Sequence, residues 1–138
     1  MLLARSGSCR ELRDMTFRFA EPIAVDSPEG TFFYHVTELP GFGIIEHPTS
    51  WDLRGRFADY TGGVEVRGRS FLDVGAGSGF LSFESEKQGA EVIGFDAEHA
   101  GQLQFVPYAG IPEQSPAYAF EPMRRAYWLS HRSLGSHV

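Results

Sequence analysis

The chain has almost no cysteine and almost no lysine. Cys9 is the single cysteine in 138 residues, so no disulfide can close within the chain, which fits a reducing compartment. It lies in a polar stretch near the terminus, and the plain reading is an incidental free thiol rather than an activated nucleophile. Lys87 is the only lysine among 12 basic residues; all the others are arginine. Clustered metal ligands are missing too. His99, His131 and His137 have no partner at metal-ligand spacing, and no metal site is expected. No apolar run approaches the roughly 20 residues of a membrane span, and Met1-Leu2-Leu3-Ala4-Arg5 is too short for a signal-peptide core. The expectation is a soluble protein of the cytoplasm with no membrane partner. Positive charge is also scarce. A formal net charge of −6 excludes a chain that as a whole wraps nucleic acid. Local arginines can still hold phosphates: Arg54, Arg56, Arg67 and Arg69 flank a predicted strand, although a solvated basic edge explains them as well.

What is present suits a globular domain. Apolar residues make up 42% of the chain and aromatics 14%, with twelve phenylalanines that need a core or a cleft. The length allows one domain with a real core. An amphipathic stretch covers Glu11 to Phe19, and Thr31 to Val36 is rich in strand formers. Pro40-Gly41-Phe42-Gly43 breaks that strand. Ser50 to Tyr60 reads as a helix capped by Ser50 or Asp52, with Leu53, Phe57 and Tyr60 at helical spacing and Thr61-Gly62-Gly63 ending it. Gln102 to Val106 suggests a short helix before Pro107, Pro112 and Pro116. Pro122 to Leu134 suggests a longer one, with Pro122 near its first turn, Met123, Tyr127 and Leu134 toward a core, Trp128 extending that side and Gly135 as its stop.

The clearest pattern lies between these. Ser70-Phe71-Leu72-Asp73-Val74 reads as a buried strand. Gly75-Ala76-Gly77-Ser78-Gly79 is a glycine-rich loop. Phe80 to Gln88 is a helix with Phe80, Phe83 and Lys87 on one side and Gly89 as its cap. Glu91-Val92-Ile93-Gly94-Phe95 is a second strand, ending at Asp96. A strand–loop–helix–strand unit this short implies two parallel strands. Ligands of open α/β sheets bind at the carboxyl edge of such strands, where glycine lets the backbone approach closely. Asp96 is placed to accept hydrogen bonds from ribose hydroxyls. Asp73, just ahead of the loop, suits a cationic amino group and would repel a pyrophosphate. The dinucleotide fingerprint G-x-G-x-x-G would need a third glycine where Phe80 stands.

Leu72-Asp73-Val74-Gly75-Ala76-Gly77-Ser78-Gly79 resembles the first motif of class I S-adenosylmethionine-dependent methyltransferases, and Val92-Ile93-Gly94-Phe95-Asp96 resembles their second. Gly89-Ala90, before the second strand, also fits. The resemblance implies an α/β, Rossmann-like methyltransferase fold with a parallel sheet, and S-adenosyl-L-methionine as cofactor. The backbone of Gly75, Ala76, Gly77 and Gly79 would lie under the methionine part. Asp73 would face its amino group, Asp96 would bind the ribose hydroxyls, and Ala97 would sit near the adenine. A weaker likeness, in Tyr34-His35, Glu38-Leu39-Pro40, Trp51-Asp52-Leu53-Arg54 and Gln104-Phe105, is to methyltransferases broadly similar to those acting on the tRNA wobble uridine.

On this reading, residues 1–60 form an N-terminal extension and residues 61–138 the N-terminal half of the cofactor-binding domain. The family fold has about seven strands, and the motifs account for two here. The fold is therefore expected to be incomplete, with a missing C-terminal segment or a partner completing the sheet, and the chain alone is expected to be inactive. No catalytic residue can be named, and the methyl acceptor, a small molecule or RNA, is open. Two other readings stay open: a nicotinamide-dependent oxidoreductase fragment, and a non-catalytic nucleotide-binding interaction module. Outside the motifs, His35 could approach a ligand or be an ordinary strand histidine, and Tyr34 could stack on a ligand or pack in the core. His47, before Pro48, reads as a surface residue. Phe32, Phe33 and Phe42 suit either a substrate cleft or the core.

Overall fold

A computed structural model describes residues 19–97, 99 and 117–138. The chain is mixed α/β. An antiparallel pair, β1 (Thr37–Leu39) and β2 (Gly43–Ile45), is followed by a single helical turn, α1 (Phe57–Tyr60). The unit β3 (Ser70–Val74), α2 (Phe80–Lys87) and β4 (Glu91–Phe95) comes next, and then α3 (Ala117–Leu134). The motif-bearing unit forms the parallel strand–helix–strand its pattern predicts, but β3 is not the buried strand expected: only Asp73 is buried, and Ser70, Leu72 and Val74 are exposed because one face of the pair is uncovered among the described residues. β3 and β4 pair in parallel, with Asp73 opposite Gly94 and Val74 opposite Phe95. Gly89, at φ +90°, ends α2. There the Ala90 N–H donates to the Ser85 carbonyl, as a helix terminated by a left-handed residue requires.

The N-terminal region differs from its predicted form. Thr31 to Val36 is not a strand, because its backbone donors go to four separate places, the first being the Thr31 N–H to the Pro28 carbonyl. The Phe32 N–H donates to the Pro122 carbonyl, the Val36 N–H to the Trp51 carbonyl and the Tyr34 N–H to the Ser78 hydroxyl. A regular strand follows it instead, and Pro40-Gly41 turns the chain back into β2. The predicted helix over Ser50 to Tyr60 shrinks to its last turn. Gly55 takes a left-handed conformation at φ +70°, which no continuing α-helix tolerates. Asp52 does not cap a helix; its carboxylate accepts the Arg54 N–H at 3.1 Å and the Arg54 guanidinium at 2.9 and 2.8 Å.

Among the described residues, two apolar clusters hold the elements together. Val25, Phe33 and Leu39 pack against Ala126, Trp128 and Leu129 of α3. Phe57, Val66 and Ala90 form the other, with Phe71, Leu81 and Val92 against them. Packing therefore crosses residue 60 in both directions. α3 begins earlier than predicted, so Pro122 lies inside it, and the Pro122 carbonyl holds the N-terminal segment through Phe32. Its buried stripe runs through Ala126, Leu129 and Ser130, while Leu134 is exposed; two small residues let α3 approach Val25 and Phe33 closely. Gly135 stops the helix as predicted, at φ +62°. On α2, Lys87 faces solvent, 3.3 Å from Glu84, and the buried positions are Phe80, Ser82, Phe83 and Ser85.

The parallel sheet is covered on one face only among the described residues. Phe71 and Asp73 face α2, whereas Leu72, Val74 and Phe95 are exposed on the other side. Among the described residues, no helix is long and apolar enough to cross a membrane. Cys9, most of the amphipathic stretch from Glu11 and the predicted helix over Gln102 to Val106 lie outside the described residues.

Candidate functional site at the glycine loop

Gly75, Gly77 and Gly79 all have positive φ, at +78°, +58° and +86°, so the loop needs glycine at each alternate position. Its hydrogen bonds are largely satisfied internally. The Gly75 N–H donates to the Phe95 carbonyl at 2.8 Å, and the Ala76 N–H reaches the same oxygen at 3.4 Å. The Gly79 N–H closes back onto the Ala76 carbonyl at 2.8 Å. The Gly77 N–H donates to Asp96 Oδ2 at 2.7 Å. This differs from a phosphate cradle, where successive N–H groups point outward at an anion.

The two acids are in different environments. Asp96 is exposed, and its second oxygen accepts the Ala97 N–H at 2.7 Å. A carboxylate has about four acceptor positions, so further donors from a ligand can still be met. Asp73 is only 8% exposed and accepts a 2.7 Å hydrogen bond from the Ser82 hydroxyl. It ties β3 to the first turn of α2 and contributes its charge from beneath the loop. Of the predicted site residues, Gly75, Ala76, Gly77, Asp96 and Ala97 come together at the carboxyl edge of the sheet, Gly79 starts α2, and Asp73 lies below them.

α3 closes one side of the loop, and its part was not legible beforehand. Met123 and Tyr127 read as core residues, yet a Cβ on Gly77 would lie 3.0 Å from the Met123 sulfur. A Cβ on Gly94 would lie 2.9 Å from the Tyr127 hydroxyl. Burial, with Asp73, Glu86 and Asp96 nearby, pushes the Tyr127 phenol up to about 12, so it stays protonated and can donate a hydrogen bond at neutral pH. His35 is half-buried, 5.2 Å from the Phe80 ring. Burial lowers its pKa from the ordinary 6.5, and the Asp73 carboxylate opposes part of that shift. The Ser78 hydroxyl accepts the Tyr34 N–H at 3.2 Å, joining the N-terminal segment to the loop. None of these long-range contacts leaves a spacing signal.

The arginines that flank β3 are partly engaged: Arg54 pairs with Asp52 at 2.8 Å and Arg56 with Asp59 at 3.4 Å. No group of three or more His, Cys, Asp or Glu side chains is placed to hold a metal ion among the described residues. Comparison of the chain with protein-family models, with curated proteins and with solved structures finds no match.

Proposed function

We propose that this chain carries the S-adenosyl-L-methionine-binding part of a methyltransferase. The observation that supports it most is the exposed Asp96 carboxylate, hydrogen-bonded to the Gly77 N–H at the carboxyl edge of a parallel strand pair. A negative group on that edge, above a loop whose donors are largely used internally, favours a ligand with hydroxyl and cationic groups over one with a pyrophosphate. A sulfonium cofactor supplies an already activated methyl, so the protein's task is mainly position and alignment. Asp96 accepts the ribose hydroxyls, Gly75 and Gly77 let the ligand lie against the backbone, and Asp73 adds negative charge under the amino-acid end. The face of Leu72, Val74 and Phe95, uncovered among the described residues, fits a Rossmann-like sheet, whose strands carry a layer on both faces. The cytoplasm is the proposed compartment.

Calorimetry with S-adenosylhomocysteine and with NAD tests the reading. S-adenosylhomocysteine should bind, and Asp96→Ala should weaken it by about 1–3 kcal/mol, the scale of hydrogen bonds to a charged group. Tighter binding of NAD would overturn the assignment, and an unchanged affinity in the variant would remove Asp96 from the ribose.

A further inference from the structure

α3 brings a polar atom to the glycine loop without bringing a partner for it. The Tyr127 ring runs from the loop to the sheet. A Cβ on Gly79 would lie 2.9 Å from its Cδ2, and a Cβ on Gly94 would lie 2.9 Å from its hydroxyl. Gly94 pairs with Asp73 across the two strands. The same Cβ position on Gly94 is 3.5 Å from the Ser82 hydroxyl, which donates to Asp73 at 2.7 Å. The phenol oxygen therefore sits on the Asp73 side of the sheet, close to that acid and its serine. Neighbouring rings fix its direction, with centroids 5.1 Å away for Phe83 and 5.3 Å for Trp128. Tyr127 nevertheless keeps partial exposure within the run Ala126 to Ser130, whose other four members are buried. Its hydroxyl makes no hydrogen bond to another described residue.

An α-amino-acid end carries an ammonium and a carboxylate on one carbon. Asp73 and Asp96 attract the first and repel the second, so the carboxylate needs a donor that offsets them. The N–H groups of Gly75, Ala76, Gly77 and Gly79 are already used within the site. Met123, one turn earlier on α3, places its sulfur 3.0 Å from a Cβ on Gly77 and has no proton to give. A phenol has one, and burial holds the Tyr127 pKa up at about 12, so the proton stays. We propose that the Tyr127 hydroxyl donates a hydrogen bond to the carboxylate of the ligand's amino-acid end while Asp73 supplies charge for its ammonium, so that the two select a zwitterion over other adenine nucleosides. This rests on the methyl-transfer reading and adds α3 to the cofactor site, which the glycine motif does not include.

Calorimetry of the full chain tests it with two ligands, S-adenosylhomocysteine and its decarboxylated analogue, which keeps the amine. The unmodified chain should bind S-adenosylhomocysteine more tightly. Tyr127→Phe, which keeps the ring against Gly79 and Phe83, should weaken S-adenosylhomocysteine by about ten- to a hundredfold, the loss of one hydrogen bond to a charged group. It should leave the analogue unchanged. Met123→Leu should keep the preference for the carboxylate. Equal affinity of the two ligands for the unmodified chain would overturn the Tyr127 role while the methyl-transfer reading stands. So would a preference that survives in Tyr127→Phe, which would move the donor to the backbone at the start of α2. Equal weakening of both ligands in Tyr127→Phe, or loss of the preference in Met123→Leu, would reduce Tyr127 to packing of α3. If neither ligand binds the unmodified chain, the methyl-transfer reading fails and the Tyr127 role falls with it.

Discussion

At one end of the glycine loop, a Cβ on Gly79 would collide with the Phe83 ring and lie 2.9 Å from Tyr127; at the other, a Cβ on Gly75 would meet nothing within 4 Å among the described residues beyond its chain neighbours. Both glycines have positive φ, so both need glycine for the turn, but only Gly79 also needs it for packing. The first glycine leaves space where a ligand would approach, and the third lets α2 and α3 close on the sheet. One motif therefore combines an access position with an assembly position, and a glycine pattern alone does not reveal which is which.

Gly79→Ala should have the largest effect. A left-handed alanine costs about 1–2 kcal/mol, and overpacking against two rings adds about 1–3 kcal/mol. Urea unfolding should show both losses together. Gly75→Ala should lose only the first of them while still impairing S-adenosylhomocysteine binding. Equal destabilisation of the two variants would erase the distinction between the loop's ends.

The acids allow a second contrast, at a smaller scale. Asp73→Ala strands the buried Ser82 hydroxyl and should cost about 1–3 kcal/mol. Asp96→Ala, at an exposed site, should cost less stability and more cofactor affinity. If Asp73→Ala leaves the urea midpoint unchanged, the Ser82 bond does not hold β3 to α2.

The sequence revealed the parallel unit because each of its signals is local. Strand formers, alternating glycines and a terminal Gly89 lie within β3, α2 and β4 and need no distant partner. The N-terminal region departs from its local signals because its structure is set from outside. Tyr34 has the propensity of a strand residue, but its N–H is claimed by Ser78 and the Phe32 N–H by Pro122. Gly55 interrupts an otherwise convincing helical spacing with a single left-handed residue. At the site, Asp96 was placed correctly at the strand end, whereas the burial of Asp73 under Ser82 and the arrival of Met123 and Tyr127 depend on how α2 and α3 pack. Helical periodicity marked Tyr127 as inward-facing, but it could not indicate that inward meant the glycine loop.

His35 offers the finest test of how the two regions meet. It lies on the N-terminal segment, against Phe80 and within the field of Asp73, and burial lowers its pKa below 6.5 despite that carboxylate. The folded state therefore favours neutral imidazole, and the unfolded chain binds more protons near and just below pH 6.5. The stability associated with neutral His35 is fully present above the unfolded value of about 6.5. It is lost as the pH falls from there through the lower folded value. The urea midpoint should decline as the pH falls below about 6.5, and His35→Gln, which cannot titrate, should flatten that decline. A decline of the same steepness in the variant would assign it to other groups. A midpoint that rises on acidification and levels off in the variant would mean that Asp73 outweighs burial, with His35 held as a cation beneath the loop.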